Sequence, residues 1–470
     1  MKTIHLVVLI VASLLLAGCT DLSGSSARNV AKRGAAGSPV LSKLTEFVNP
    51  IDLDHQHNDL SLHNISNHAE LVGRVPVGGD GMPVGGEGEI DVVGDYAYVA
   101  IFSYGFAIVE LKDPANPKVV GRGQIPMPPT PVVGHYTADI KVDKTGGWVF
   151  LALELSPYAG MLVFDARDKA NIKLAGFWPA PGKLLGCHMI EYAEIGGQEY
   201  VFCAPLDAAI YVGLLAPATP APVREVVTVA RWAPVSPVWA NHVATNPPGG
   251  LAATAGSGHD DMTFQLDPLT NKPTLFVSMW SLGVWFVDIS IPAAPLTLGG
   301  WIGGGSKLFA GNIHTTMAFK SPENKRIVAA IPEGSRPPAI FVIDATDFNN
   351  PKLLSEWTAV PSFKNAAGVD VSGTFSMHNF QIVDGHMYVA MYHGGIWVVD
   401  IHNETMQRSP QPVASYMPHE PRADGRPYSI GAWDVVVWHG YMLTADSNGG
   451  FYVVHRTEDP AGDAMYTSFA

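Results

Sequence analysis

The sequence predicts an all-β chain, a seven-bladed β-propeller of four-stranded antiparallel blades, and three observations carry that prediction. A unit of three short apolar runs recurs, its copies are evenly spaced, and a fourth run is absent at one end of the chain and present at the other. The unit is clearest where the runs His378 to Val383 and Met387 to Met391 flank an Asp384-Gly385 turn, and Gly394-Gly395 leads into a third run, Ile396 to Ile401. Apolar runs joined by such dipeptides read as hairpin strands. Three strands with one apolar face cannot bury it alone, so neighbouring copies must stack.

The third run marks the copies. It reads Gly105-Phe106-Ala107-Ile108-Val109-Glu110-Leu111 near the start and Gly395-Ile396-Trp397-Val398-Val399-Asp400-Ile401 near the end, with further copies beginning at Gly160, Ala209, Gly283, Ala339 and Gly450. Successive starts lie 55, 49, 74, 56, 56 and 55 residues apart, a blade-length period with one long insertion.

The fourth run closes the ring. Asn116-Pro117-Lys118-Val119-Val120-Gly121-Arg122 follows the first third-run copy, and His68-Ala69-Glu70-Leu71-Val72-Gly73-Arg74 resembles it with no first three runs before it. The last repeat stops after its third run, at Phe451 to Val454. The N-terminal strand is therefore expected to complete the C-terminal blade and cover its edge. Blade direction then puts the entries to the first strands and the turns between second and third strands on one face, and the chain entry and the Asp113-Pro114-Ala115-Asn116-Pro117 type of turn on the other. The long insertions 126–134, 236–258, 360–374 and 418–431 all lead into first strands, on the face where functional loops are expected.

Composition agrees. Gly 48 and Pro 37 suit many turns, and charged residues make only 15 % of the chain. A net charge of −14 leaves no basic stripe for a phosphate backbone, which argues against nucleic-acid binding. Lys2 and the apolar run Ile4 to Ala17 read as a secretory signal, too short for a spanning helix. Leu16-Ala17-Gly18-Cys19 ends that run and resembles the bacterial lipoprotein box, which implies lipidation at Cys19 and a place in the cell envelope, at the outer membrane or its periplasmic face in a Gram-negative organism. Residues 1–19 are then the signal, 20–49 have the Ser, Gly and Ala content of a flexible tether, 50–67 form a His-containing extension, and 68–470 hold the propeller and a tail. His55, His57 and Asp59 in the extension resemble part of the His-x-His-x-Asp run of metallo-β-lactamase-like enzymes, without its following His or the buried strand before it.

Cys187 and Cys203 both lie in the third repeat. A hairpin turn at Gly196-Gly197 sets Cys203 opposite Ile190, three residues from Cys187, so two buried thiols are favoured and a disulfide is the alternative.

Aligning first strands on their turns places His135, His188, His259, His314 and His378 at one repeat position, the channel-facing start of blades two to six; in blade four the register leaves Asp260 as the alternative. Converging imidazoles suit a transition metal (copper, zinc or iron), a small-molecule ligand, or a structural hydrogen-bonding role. Blades seven and one lack the His and offer Trp433-Asp434 and Glu89, as a base, an oxygen ligand or simply a wet acidic loop. Glu154, Asp207, Trp280, Glu333 and His393 enter the same face from turns between second and third strands. Convergent polar groups beside aromatic rings are the makings of a small-ligand site. No phosphate loop, nucleophile elbow or Cys-rich spacing is present. Two functions from different classes fit: an envelope-anchored binding protein or oxidoreductase with its site at the channel mouth, and a non-catalytic scaffold for an envelope protein or glycan.

The repeats resemble the LVIVD-repeat proteins, bacterial and archaeal propellers, on Ile108-Val109-Glu110-Leu111-Lys112-Asp113-Pro114-Ala115-Asn116-Pro117 and on Phe341-Val342-Ile343-Asp344. The resemblance runs from about residue 68 to 458 and implies the fold without implying an activity. Tyr211-Val212-Gly213, in the third repeat, departs from it by lacking the Asp.

Overall fold

The structure is a computed structural model. It describes residues 68–457 apart from 79–86, 103, 127–135, 155–158, 180–185, 206–208, 218–222, 235–260, 281, 310–311, 334–338, 359–375, 393, 417–430 and 448–449. Seven four-stranded antiparallel sheets follow one another along the chain, and in the seventh the order is closed from outside by Ala69–Val75, which pairs with Gly450–Arg456. The seven-bladed propeller and its closure by the N-terminal strand are as the repeats predict.

Local chemistry explains the blades. Val383 pairs with His386 and Ile195 with Gln198 across two-residue turns, and Asp384-Gly385 and Gly196-Gly197 each hold both central residues at positive φ. That conformation matches the twist of the flanking strands and suits Gly and Asp there. In every blade the pairing between third and fourth strands slips by one residue at the same place, leaving Val120, Ala175, Val229, Leu298, Leu354, Val413 and, in the closing strand, Val72 as the extra residue. A shared bulge identifies Ala69–Val75 as a true fourth strand. Gly73, Gly121, Gly176 and Gly299 stand next after it in four blades. A Cβ there would lie within 2.3 Å of a backbone carbonyl of the following blade, so the close packing of successive blades requires glycine.

The apolar core is divided among the seams. Each buried cluster joins two adjacent blades, as where Ile331 and Ile340 of blade 5 meet Trp397 and Met391 of blade 6, and Phe451 and Val453 of blade 7 meet Val99 and Ala107 of blade 1. The central strands are apolar on both faces and nearly all buried, in keeping with sheets that pack on two neighbours.

One expectation fails. Cys187 and Cys203 form a disulfide with Cα atoms 5.3 Å apart. The predicted register is right, with Ile190 opposite Cys203, but the chain bends at His188 and carries Cys187 back over the strand into the core between blades 2 and 3. Strand register alone could not place a residue that lies before the strand.

Candidate ligand site at the channel mouth

The channel is walled by the first strands of the seven blades. At every seam a side chain of one first strand accepts a hydrogen bond from a backbone N–H of the next. Asp434 takes Ile90 N–H at 2.8 Å, Asp91 takes Val142 at 2.7 Å, Asp139 takes Ile190 at 2.9 Å and Glu191 takes Phe264 at 3.2 Å. Gln265 takes Ala318 at 2.8 Å, the sulfur of Met317 takes Ile382 at 3.2 Å and Gln381 takes Val437 at 2.6 Å. The seven clasps run once round the ring.

They also set the charge of the channel. Glu89, Asp91, Glu191, Asp261 and Asp434 line a cavity of about 590 Å³ together with Lys141, whose ammonium lies 2.7 Å from Asp139. Burial pushes Asp91 up to about 6 and Glu191 up to about 8, with neighbouring carboxylates adding to the shift. Glu89 is raised well above the usual carboxylate range by burial and by Asp434 and Asp139, and Asp434 is raised mainly by burial. Burial pulls Lys141 down, but Asp139, Glu191, Asp91 and Glu89 outweigh it and hold the amine firmly protonated.

Where the first strands of blades 5 and 6 begin, two of the predicted histidines meet, both buried. The rings of His314 and His378 are 4.1 Å apart, His378 lies 4.1 Å from Trp433 and 5.1 Å from Tyr392, and Phe102 stands edge-on to Trp433 at 4.7 Å. Both imidazoles are neutral: burial drives His314 well below its ordinary range, with the neighbouring His378 and His188 adding to the shift, and burial takes His378 down to about 3. Their tautomers follow from their partners. His378 Nδ1 is 2.9 Å from the carbonyl of Trp433, which can only accept, so Nδ1 carries the proton and Nε2 the lone pair. Asn379 turns its amide nitrogen to Glu89, so its oxygen takes the hydroxyl proton of Thr315 at 2.8 Å. Thr315 Oγ1 therefore accepts from His314 Nδ1 at 2.8 Å.

The walls are held in place. Trp433 donates its indole N–H to Glu89 at 3.2 Å, and Tyr392 donates its hydroxyl to Glu333 at 2.6 Å. Tyr392 and Trp280 end the second strands of blades 6 and 4 at positive φ, 38° and 20°, and bridge to Ala432 and Ile313 of the following blades. Bulky residues persist there only where the surroundings hold them, a condition that gathers at binding sites. His188 faces the buried carboxylate of Glu154, Nδ1 to Oε1 3.1 Å.

The structure redraws the predicted set. His188, His314 and His378 share one position, two residues before the paired residues Ile190, Thr316 and Phe380. His135 and His259 lie outside the described residues, as do His393 and Asp207. Glu89 and Asp434 do not sit in a wet loop: they are 4 % and 6 % exposed and hydrogen-bonded into the seam. Among the described residues no three His, Cys, Asp or Glu side chains are grouped to hold a metal ion. Tyr392, Thr315, Asn379 and the clasps Asp91, Asp139 and Glu191 were not anticipated. The pairs Asp139-Ile140, Asp261-Met262 and Asp434-Val435, each an acid accepting from the N–H of the residue after it, are the signal that could have revealed part of the channel.

Residues 85–124, the whole of blade 1, match the family model for the LVIVD repeat. The chain is a β-propeller carrying this repeat. No curated protein matches it. Among solved structures it is similar to the β-propeller domain of Cps50 (Swd1) from Myceliophteria thermophila, at 12 % identity over 79 % of this chain and 97 % of that one with a TM-score of 0.46. Sqt1 from Saccharomyces cerevisiae is similar at 10 % identity over 84 % and 100 %, also at 0.46. Neither likeness bears on function.

Proposed function

We propose that this propeller binds a small molecule at its channel mouth while a lipid on Cys19 holds it in the cell envelope. The observation that carries the binding reading is the neutral imidazole of His378, whose Nδ1–H is engaged by the Trp433 carbonyl so that Nε2 carries the lone pair, packed among the rings of His314, Trp433 and Tyr392. Aromatic faces with a few oriented polar atoms suit a ligand bearing hydroxyl or amine donors. A transition metal is the second reading. A ring whose Nδ1–H is fixed by a backbone carbonyl is oriented as metal-ligating histidines are, and His135, His188 and His259 would supply the remaining ligands. Oxidative chemistry belongs to that second reading alone.

The envelope reading is supported by the apolar run ending at Cys19 and by the Cys187–Cys203 disulfide, a bond that persists in oxidising compartments. Elemental analysis of untagged protein, paired with a thermal-shift screen of amines and polyols, tests the site. The expected result is sub-stoichiometric metal that His378→Ala leaves unchanged, with a ligand that raises the melting temperature of the wild type and not of the variant. Stoichiometric metal lost in His378→Ala would replace the first reading by the second. For the anchor, Cys19→Ala should release the protein from the membrane fraction.

A further inference from the structure

On the lower face of the ring, the face of the chain entry, blade 4 breaks a rule that blades 1, 2 and 5 keep. The lower turn between third and fourth strands is closed in blades 1, 2, 4 and 5 by the same backbone hydrogen bond, from Asn116 to Asp113, Asn171 to Asp168, Ala294 to Ile291 and Asn350 to Asp347. In three of these the first residue is Asp, and its carboxylate accepts the N–H two residues on, of Ala115, Ala170 and Asn349. That side-chain bond is why Asp favours the position. Blade 4 has Ile291 there, followed by Pro292-Ala293-Ala294-Pro295, and so gives up the bond while exposing an apolar side chain.

The exposure is not isolated. Ile291 and Leu296 are the two most exposed large apolar residues among those described, at 67 % and 61 %, and Leu266 is 52 % exposed. Strand pairing sets Leu266 opposite Pro273, Thr274 opposite Asp288 and Asp288 opposite Leu296, so all three side chains share the lower edge of one blade. The position of the chain entry says what covers them. Ala69 pairs with Arg456 at the end of a third strand, which places the entry of the preceding chain on the same face of the ring as the turn after Asp288. That preceding chain carries the apolar run Ile4 to Ala17 and Cys19.

We propose that Leu266, Ile291 and Leu296 dock on the lipid surface that holds the anchor. The inference rests on the reading of Cys19 as lipidated. Three apolar side chains bind a bilayer weakly by themselves, but an anchor on the same face raises their effective concentration at the membrane, and two weak signals together hold where one does not. Docking turns the lower face to the membrane and leaves the channel mouth facing away from it.

The test is hydrogen exchange on the full-length lipidated protein, with phosphatidylethanolamine–phosphatidylglycerol vesicles and without them. The amides from Ile289 to Leu296 should slow by about fivefold on vesicles, while the equivalent turn Leu111 to Pro117 of blade 1 keeps its rate. Ile291→Asp, which installs the residue that blades 1, 2 and 5 carry, should abolish the slowing and melt no lower than the wild type. Protein bound to vesicles with unchanged exchange from Ile289 to Leu296 would overturn the docking and leave the anchor standing. Protein that stays off the vesicles would overturn both. Slowing that appears on concentrating the protein without vesicles would give the edge to a second copy of the chain and remove the lipid from it.

Discussion

Four seams of the ring are clasped by carboxylates and three by neutral side chains, and the division is contiguous. From blade 7 through blades 1, 2 and 3 the acceptors are Asp434, Asp91, Asp139 and Glu191; from blade 4 through 6 they are Gln265, Met317 and Gln381. Both kinds satisfy the same N–H at similar distances, so holding blades together does not require charge. What the acidic arc adds is a field, and it exacts a cost in the folded state, since Asp91 and Glu191 are held above their ordinary range by burial. The neutral arc carries His314 and His378, whose buried rings are held neutral. The two arcs thus separate a charged wall from an uncharged pair of imidazoles.

The largest expected effect comes from removing the cation that makes the acidic arc tolerable. Lys141→Met leaves Asp139 and its neighbours without their ammonium and should destabilise the protein by about 3 kcal/mol at pH 8, because the loss of one partner strands buried charge. At pH 5 the loss should be much smaller, since Asp91 and Glu191 are protonated below about 6 and 8. Urea unfolding at both pH values measures this, and equal losses at the two would show that the arc carries no net charge to be balanced.

How much of this was legible follows from what repeats. The strands, their turns and the closing strand recur as residue types, so periodicity reveals them, and the bulge at Val72 matches the likeness of Glu70-Leu71-Val72-Gly73-Arg74 to the other fourth strands. The clasps recur only as a function. A carboxylate, an amide and a thioether all accept an N–H, so seven equivalent bonds are made by Asp, Glu, Gln and Met and leave no consensus to read. The histidines fall between: His188, His314 and His378 share one position relative to the strand pairing, while His135 and His259 lie outside the described residues. Cys187 was misjudged because a bend, not a strand, delivers it.

A second substitution neutralises the arc instead of unbalancing it. Glu191→Gln keeps an oxygen for Phe264 N–H and removes the titration. A carboxyl raised to about 8 leaves the folded state holding more protons than the unfolded chain above about pH 4.5, so wild-type stability falls as pH rises toward 8. The variant should gain roughly 1–3 kcal/mol at pH 8, discounted for water in the channel, and little at pH 5. A gain that does not grow with pH would locate the effect in packing.

The converse carries the acid into the neutral arc. Gln265 accepts from Ala318 N–H and donates its own amide N–H to Ala318 carbonyl at 3.1 Å, a two-way bond between blades 4 and 5. In Gln265→Glu the ionised carboxylate keeps the first bond and faces the carbonyl without a proton, at a cost of about 1–2 kcal/mol. Below the carboxyl pKa the O–H restores the donor, so thermal unfolding should show the deficit at pH 8 and recover most of it at pH 4. A deficit as large at pH 4 would mean that the amide is needed for its shape and that the two arcs differ in packing.

The smallest expected effect tests whether the neutral arc is indifferent to charge yet still sensitive to acceptor strength. Met317 is its weak point: a thioether sulfur is a poor acceptor, and at 3.2 Å it is all that the described channel offers Ile382 N–H. Gln at this position would bring an amide oxygen, the acceptor that Gln265 and Gln381 supply at the flanking seams, while giving up part of the apolar contact that Met317 makes with the core between blades 5 and 6. A neutral hydrogen bond contributes about 1 kcal/mol net, and the loss of thioether packing offsets some of it. Met317→Gln should therefore raise stability by about 0.5 kcal/mol, equally at pH 5 and pH 8, because no titrating group is added. A gain confined to one pH would show that the acidic arc reaches across the channel to this seam, and a loss above about 1 kcal/mol would show that Met317 is held for its packing, with the sulfur contact incidental.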